Sequence, residues 1–229
     1  MVQLTARTRN LTVFTVVCGA LAILSAPWAL AQPVLNAVFK PLATLGVIAY
    51  AWDRGRDCPV QRRWVLIGLF LSLVGDIALL WPQQGFLPGL VSFLLAHAAY
   101  VVAFTRDHRL AARVLPFAAY ALVAGGIFSL LWPHVPVQMR GPVGGYVVFL
   151  AAMAAQAAVL WLAGAPRGAV LALGGALFVC SDGLLATDKF AATLPLASLW
   201  ILASYWAAQW CIASWLSPEG APIRLAPVR

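Results

Sequence analysis

The feature that most limits what this chain can fold into is a series of eight apolar runs separated by short polar loops. A helix needs about 20 apolar residues to cross the hydrocarbon core of a bilayer. Of the 229 residues, 63% are hydrophobic and 10% are charged, whereas soluble domains are about 25% charged. We therefore predict an all-α polytopic membrane protein in which residues 1–229 form a single integral membrane domain with helices at about 11–31, 34–52, 64–81, 86–105, 114–132, 143–163, 169–186 and 194–216.

The basic residues predict how these spans are oriented. Lys40 lies inside the second span, and eight spans place only Arg140 and Lys189 on one side of the membrane. Short cytoplasmic loops are enriched in Lys and Arg, so both termini are predicted to be cytoplasmic, in a bacterial-type inner membrane. Because the net charge of +8 is explained by these loops, we expect no nucleic-acid partner. The other side holds Arg7, Arg9, Arg54, Arg56, Arg62, Arg63, Arg106, Arg109, Arg113, Arg167, Arg224 and Arg229.

The N-terminal segment resembles a secretory signal, because Arg7 and Arg9 precede an apolar run and Ala29-Leu30-Ala31 resembles a cleavage site. The apolar core of a signal peptide is usually about 7–15 residues long. The run from Leu11 to Leu30 is longer than that. We therefore expect it to be retained as the first transmembrane helix.

Polar side chains inside the apolar runs mark the candidate site. Asp76 lies within Leu73-Val74-Gly75-Asp76-Ile77, and Asp182 lies within Cys180-Ser181-Asp182-Gly183. An intramembrane aspartate costs roughly 2.5–3.5 kcal/mol on insertion scales, so it usually faces protein or water. Counting along each span at about 1.5 Å per residue places the polar residues between the outer surface and the midplane. We predict one site with Asp76 and Asp182 as catalytic residues and with substrate-binding or acid-tuning roles for Lys40, His97, Tyr100 and Ser181.

Each of these residues also has a purely structural interpretation. Lys40 could extend its side chain to the membrane surface as an anchor, and His97 could be a hydrogen-bonded core histidine. Asp76 and Asp182 could form a structural ion pair with Lys40. Interhelical hydrogen bonding is the more typical role for Ser181, Tyr205, Gln156 and Gln209.

The chemistry that best fits two carboxylates in one apolar pocket is acid–base hydrolysis. Like charges at close range do not both ionise, so one group serves as the acid and the other as the base. Such a pair can protonate a substrate and activate water. His97 is the only intramembrane histidine, and Cys18, Cys58, Cys180 and Cys211 form no CxxC pair. We therefore expect neither a zinc site nor any other cofactor.

Several motifs together resemble the YhhN/TMEM86 family. They are Phe39-Lys40-Pro41-Leu42, Leu73-Val74-Gly75-Asp76, the run Gly85-Phe86 … Gly89 … Phe93 … His97 … Tyr100, and Phe178 … Ser181-Asp182 … Phe190. The resemblance implies an eight-helix membrane protein with lysoplasmalogenase activity. Such an enzyme would hydrolyse the vinyl ether of a lysophospholipid, lysoplasmenyl-ethanolamine or -choline, to a fatty aldehyde and the glycerophospho head group.

The resemblance also suggests which catalytic or binding role each polar residue would have. One of Asp76 and Asp182 would be the acid, and the other would stabilise the cation and activate water. Lys40, His97 and Tyr100 would position the head group or tune the acid. The residues alone do not decide which aspartate takes which role.

A second class of function uses the same buried charges. Gly75-Asp76 and Ser181-Asp182 both lie late in a predicted inward-to-outward helix, and each is followed by a phenylalanine, Phe86 or Phe190, before the chain returns. Transporters are often built from such repeats, and intramembrane carboxylates can relay protons. A proton-coupled transporter or a lipid-binding membrane protein is therefore the alternative. A purely structural membrane protein gives no reason for buried carboxylates.

Overall fold

The computed structural model describes residues 6–26, 29–81 and 83–218. These residues form eight α-helices and one short 3-10 helix, Trp132–His134. The all-α class predicted from the apolar runs is confirmed. In chain order the helices are α1 Ala6–Leu24, α2 Pro33–Trp52, α3 Pro59–Ala78, α4 Phe86–Phe104, α5 Val114–Leu131, α6 Val137–Leu162, α7 Gly168–Phe190 and α8 Ala197–Trp215.

The helix ends differ from the predicted spans most clearly in α1, α3 and α6. Helix α3 begins at Pro59 rather than at 64, and α6 begins at Val137 rather than at 143. Proline is favoured in the first turn of a helix, because the first N–H groups have no intrahelical acceptor. Helix α1 runs from Ala6 to Leu24 rather than over 11–31. Residues 27–28 of the predicted first span, and Arg224 and Arg229, lie outside the described residues.

Six helices are long and apolar enough to cross a membrane, namely α1, α2, α4, α5 with the 3-10 turn, α6 and α7. Helices α3 and α8 bury polar side chains, including Asp76 and Gln209, inside the bundle. The protein is thus a polytopic membrane protein, while the span count of eight stays a prediction. The exposed faces of the apolar helices, such as Leu122 and Leu130 of α5, suit contact with lipid.

The bundle consists of closely packed helix pairs. Helices α1 and α2, α3 and α4, and α7 and α8 pack against each other, and α6 packs between α4 and α7. Small residues allow the closest approach: a Cβ added to Gly175 of α7 would lie 2.9 Å from the Ala154 Cα of α6. Helix α5 lies at the periphery and buries only Pro116, Ala124 and Leu131.

One end of the bundle is closed by arginine side chains, and we call it the arginine end. Arg54 and Arg167 both donate to the Leu216 carbonyl, at 2.8 and 2.6 Å. Carbonyls at a helix C-terminus lack intrahelical donors and carry partial negative charge. The two guanidinium groups therefore cap α8. The opposite end, where the α1–α2, α3–α4 and α7–α8 connections lie, holds the candidate site.

Candidate functional site

A cavity of about 840 Å³ lies at the end of the bundle opposite the arginine end. Its walls come from α2, α3, α4, α7 and α8 and from the loop after α1. Pro41 lies inside helix α2 in this region, and it leaves the Ala37 carbonyl without its usual intrahelical donor because proline has no N–H to donate. The polar side chains that line the cavity are Ser25, Asn36, Lys40, Asp76, Ser181, Asp182, Asp188, Lys189, Ser198 and Tyr205.

Asp76 is surrounded by polar partners although it is only 1% exposed. Its Oδ2 accepts hydrogen bonds from the Thr44 hydroxyl at 2.6 Å and from the Tyr205 hydroxyl at 2.8 Å. Its Oδ1 lies 3.8 Å from the Lys40 Nζ. A buried carboxylate is tolerated when it is paired and hydrogen-bonded, and two helices, α2 and α8, supply these partners to Asp76.

A second tier of hydrogen bonds holds the partners of Asp76 in place. The Trp206 indole donates to the Thr44 hydroxyl at 3.1 Å, and the Gln209 amide donates to the Tyr205 hydroxyl at 3.3 Å. Tyr100 in turn donates to the Gln209 Oε1 at 2.6 Å. Each hydroxyl that donates to Asp76 therefore has a donor of its own, which fixes the direction of its hydrogen.

Asp182 has a much simpler environment. Its side chain accepts a hydrogen bond from the Tyr146 hydroxyl of α6, and no cation pairs with it within the described part of the chain. The His97 ring packs edge-on against Tyr146 and against Phe178, with centroids 5.2 and 4.7 Å apart. Both ring nitrogens of His97 are buried and have no hydrogen-bond partner among the described residues.

The structure brings four of the six predicted site residues to the wall of one cavity, namely Lys40, Asp76, Ser181 and Asp182. Ser181 donates to the Ile201 carbonyl at 3.0 Å and so ties α7 to α8. His97 and Tyr100 do not line this cavity. They are fully buried, His97 beside Tyr146 and Tyr100 at the far end of the chain of hydrogen bonds from Asp76.

Sequence reasoning missed Thr44 and Tyr146 as partners of the carboxylates and Trp206 as the donor to Thr44. Thr44 had a detectable signal, because residues four apart share a helix face and Thr44 lies four positions after Lys40. Tyr146 lies among Gly and Val residues of an apolar span, and its only signal was a hydroxyl that needs a partner when buried.

An apolar pocket adjoins the cavity, and Asp182 lies in the wall between them. Leu79, Phe86, Phe93 and Leu185 also line both spaces. The other walls of the pocket come from α4, α5, α6 and α7 and are almost entirely hydrocarbon. A carboxyl group at the boundary between a polar and an apolar space is well placed to act on an amphiphilic molecule.

No group of three or more His, Cys, Asp and Glu side chains that could hold a metal ion occurs within residues 6–26, 29–81 and 83–218. The polar groups that this site offers to a ligand are carboxyl groups, hydroxyls, the Asn36 amide and the ammonium groups of Lys40 and Lys189. They suit proton transfer and anion binding.

The fold and the cavity define the class: a polytopic helical membrane protein with the carboxyl groups of Asp76, Asp182 and Asp188 at a cavity between its helices. The chain belongs to the YhhN family, whose sequence pattern matches residues 35–216. That match covers most of the chain, including seven of the eight helices in full or nearly so. No solved structure matches the chain.

Several similar proteins carry the name lysoplasmalogenase. Human lysoplasmalogenase TMEM86B is 39% identical over 155 residues, which are 68% of this chain and 63% of that protein. Human lysoplasmalogenase TMEM86A is 36% identical over 65% of this chain and 63% of its own. The lysoplasmalogenase of Mycobacterium tuberculosis is 31% identical over 71% and 61%. The chain thus spans about three fifths of the length of these curated relatives.

Proposed function

We propose that this protein is a membrane-embedded hydrolase that cleaves the vinyl ether bond of lysoplasmalogens, with ethanolamine or choline head groups. The observation that carries the proposal is that Asp76 and Asp182 line one cavity. The lysoplasmalogenase name of the similar proteins points to the same bond. Vinyl ether hydrolysis needs a proton donor and a water molecule, and two carboxyl groups can supply the proton and activate the water.

The environments of the two aspartates suggest their roles. Asp76 faces the Lys40 ammonium and accepts two hydroxyl hydrogen bonds, which favours the ionised carboxylate. Asp182 has one hydroxyl partner and an apolar pocket beside it, which favours the neutral acid. Asp182 is therefore the proton donor in this scheme, and Asp76 is the carboxylate that stabilises the cation and activates water.

The reaction then proceeds in three steps. Asp182 transfers its proton to the outer vinyl carbon, and an oxocarbenium ion forms whose positive charge Asp76 offsets. Water adds to the carbon next to the ether oxygen and gives up one proton, which restores the acid. The resulting hemiacetal breaks its carbon–oxygen bond to the glycerol unit. The products are one fatty aldehyde and one glycerophospho alcohol, and the net consumption is one water molecule.

The remaining site residues support this chemistry. The Lys40 ammonium lies at the cavity wall, where it holds Asp76 ionised and attracts the substrate phosphate. His97 and Tyr100 act as positioning residues, since His97 packs against Tyr146 and Tyr100 is linked to Tyr205 through Gln209. Ser181 fixes the α7 backbone next to Asp182 through its bond to α8.

We place the cavity end at the outer side of a bacterial-type inner membrane. The single eight-span domain and the cytoplasmic termini belong to the same proposal. It follows from the positive-inside distribution of Lys and Arg. The arginine end, with Arg54 and Arg167, would then face the cytoplasm.

The test is aldehyde release by the purified protein from lysoplasmenylethanolamine, with the saturated alkyl ether analogue as the substrate control. We expect aldehyde only from the vinyl ether. Asp182→Asn should lower the rate by about 10²–10⁴-fold, the usual contribution of a general acid. Asp107→Asn, the same change at a residue that pairs with Gln61 outside the cavity, should leave the rate unchanged. Wild-type protein that releases no aldehyde, or that carries the lipid across liposomes in exchange for protons without product, would contradict the proposal.

A further inference from the structure

A groove on the outside of the bundle runs between α5 and α7. Its volume is about 450 Å³. It is lined mainly by hydrocarbon, with Val123 and Ile127 from α5 and Ala176, Val179 and Leu184 from α7. Helix α5 is the least buried of the candidate spans, so this side of the bundle faces the bilayer.

The groove adjoins the apolar pocket beside Asp182. Ile127, Val179 and Gly183 line both spaces. Asp182 lines both the pocket and the polar cavity. The groove, the pocket and the cavity therefore lie side by side, and their lining changes from apolar to polar at Asp182.

The neck between the groove and the pocket lies where α5 and α7 approach each other at Ile127 and Gly183, which line both spaces. The pocket itself holds only about 70 Å³. A Cβ on residue 183 would lie 3.5 Å from the Ile127 Cδ1, in ordinary van der Waals contact. The space between the Gly183 backbone and Ile127 is therefore about as wide as a methyl group, and a hydrocarbon chain passes there when the Ile127 side chain turns aside.

We propose that the groove and the pocket bind one unbranched hydrocarbon chain of a lysolipid, which enters from the bilayer between α5 and α7. The chain's first carbons lie at Asp182, its head group lies in the polar cavity, and its distal end stays in the groove. This path keeps the methylenes out of water, whereas a path through the mouth of the polar cavity would expose them to it. The position of the reactive bond at Asp182 rests on the function proposed above, but the chain site does not.

The test is photolabelling of the intact protein in lipid nanodiscs. The probe is a non-hydrolysable alkyl-ether lysophosphatidylethanolamine with a diazirine at the end of its chain. We expect the labelled peptides to come from the groove faces of α5 and α7, and we expect excess unlabelled alkyl lysolipid to suppress that labelling. Ile127→Trp should fill the neck and reduce labelling of α7 at least about fivefold.

Leu130→Trp is the matched control, since Leu130 is 76% exposed on α5 and lies outside the walls of the groove, the pocket and the cavity. The α7 helix of the Leu130→Trp protein should be labelled to the same extent as that of the wild type. Equal labelling of the exposed α1 face around Val13 and Val16 would overturn the inference, as would undiminished α7 labelling in a folded Ile127→Trp protein. Groove labelling without aldehyde release would refute only the proposed reaction, and aldehyde release without groove labelling would refute only the chain site.

Discussion

Asp76 and Asp182 face the same cavity from two differently built halves of the bundle. Asp76 lies among α2, α3 and α8, where it has an ammonium group and two hydroxyl donors, each held by a second tier of hydrogen bonds. Asp182 lies between α6 and α7, with one tyrosine donor and hydrocarbon on its other side. One half is a polar network, and the other is an aromatic and aliphatic wall.

Under the proposed mechanism, this difference lets one residue type serve two purposes in one site. A buried carboxyl group keeps its charge where cations and donors surround it, and it keeps its proton where they do not. The network around Asp76 contributes to the stability of the fold as well as to the proposed chemistry. The packing of the apolar wall around Asp182 depends less on the Asp182 carboxyl group, so this group contributes less to the stability of the fold. Substitutions of the two aspartates should therefore have different effects on stability while both reduce activity.

The largest expected effect comes from replacing each aspartate with asparagine. Asp76→Asn leaves the Lys40 ammonium without its carboxylate, and breaking a buried pair in this way costs about 3–5 kcal/mol. At roughly 2–4 °C per kcal/mol, the Tm in detergent should fall by about 6–20 °C. Asp182→Asn should change the Tm by less than about 3 °C, because an amide oxygen can still accept from Tyr146. Both variants should lose aldehyde release. Equal losses of Tm would contradict the contrast between the two environments.

A double-mutant cycle on Lys40 and Asp76 sharpens the same comparison. Lys40→Met alone should lower the Tm, because it leaves a buried carboxylate with hydroxyl partners only. Lys40→Met with Asp76→Asn should be more stable than the sum of the two single changes predicts, by about 0.5–3 kcal/mol. The matched cycle of Lys40→Met with Asp182→Asn should be additive in Tm. A coupling energy of zero for Lys40 and Asp76 would mean that their 3.8 Å approach contributes nothing to stability.

The smallest expected effects come from replacing the two tyrosine donors with phenylalanine. Tyr146→Phe should act mainly on activity, and Tyr205→Phe should act mainly on stability. Tyr146→Phe removes the one hydroxyl bonded to Asp182, and we expect kcat to fall about tenfold, equivalent to about 1.4 kcal/mol. Tyr205→Phe leaves Asp76 with Thr44 and Lys40, so kcat should fall by less. It also removes the acceptor of Gln209, so it should lower the Tm more than Tyr146→Phe does, through a cost of about 1–3 kcal/mol. The opposite ranking in both measurements would reverse the assignment of the two aspartates.

The number of helices in the described residues could be predicted because each apolar run is long enough to need one helix. Their ends were less predictable. Long basic side chains such as Arg62 and Arg63 can reach polar surroundings from inside a helix, so a charged residue does not mark where a helix begins. The prolines at 59 and 136 were the better markers of helix starts.

The site was only partly predictable, because helix faces follow from spacing but cavity depth does not. His97 lies four residues after Phe93 and on the same side of α4, and Phe93 does line the cavity. Phe93 and Phe178 pack edge-on against Tyr205 at 5.8 and 5.6 Å. These rings separate His97 from the cavity. Sequence spacing predicts which face of α4 His97 lies on. It does not predict the packing of the Phe93, Phe178 and Tyr205 rings, which depends on contacts among three helices.

The contact of Gly175 with Ala154 has a consequence for Asp182. Asp182 lies seven residues after Gly175, and Tyr146 lies eight residues before Ala154, so each polar residue lies about two turns from the small-residue contact on its own helix. Backbone contact at Gly175 sets the distance between the axes of α6 and α7, and rigid helices carry that spacing to the Tyr146–Asp182 pair. The alignment of the Asp182 carboxyl group with the Tyr146 hydroxyl is thereby determined by two residues, Gly175 and Ala154, that have no polar side-chain atom. A single added methyl group at position 175 would act on the proposed proton transfer from about 10 Å away along the helix.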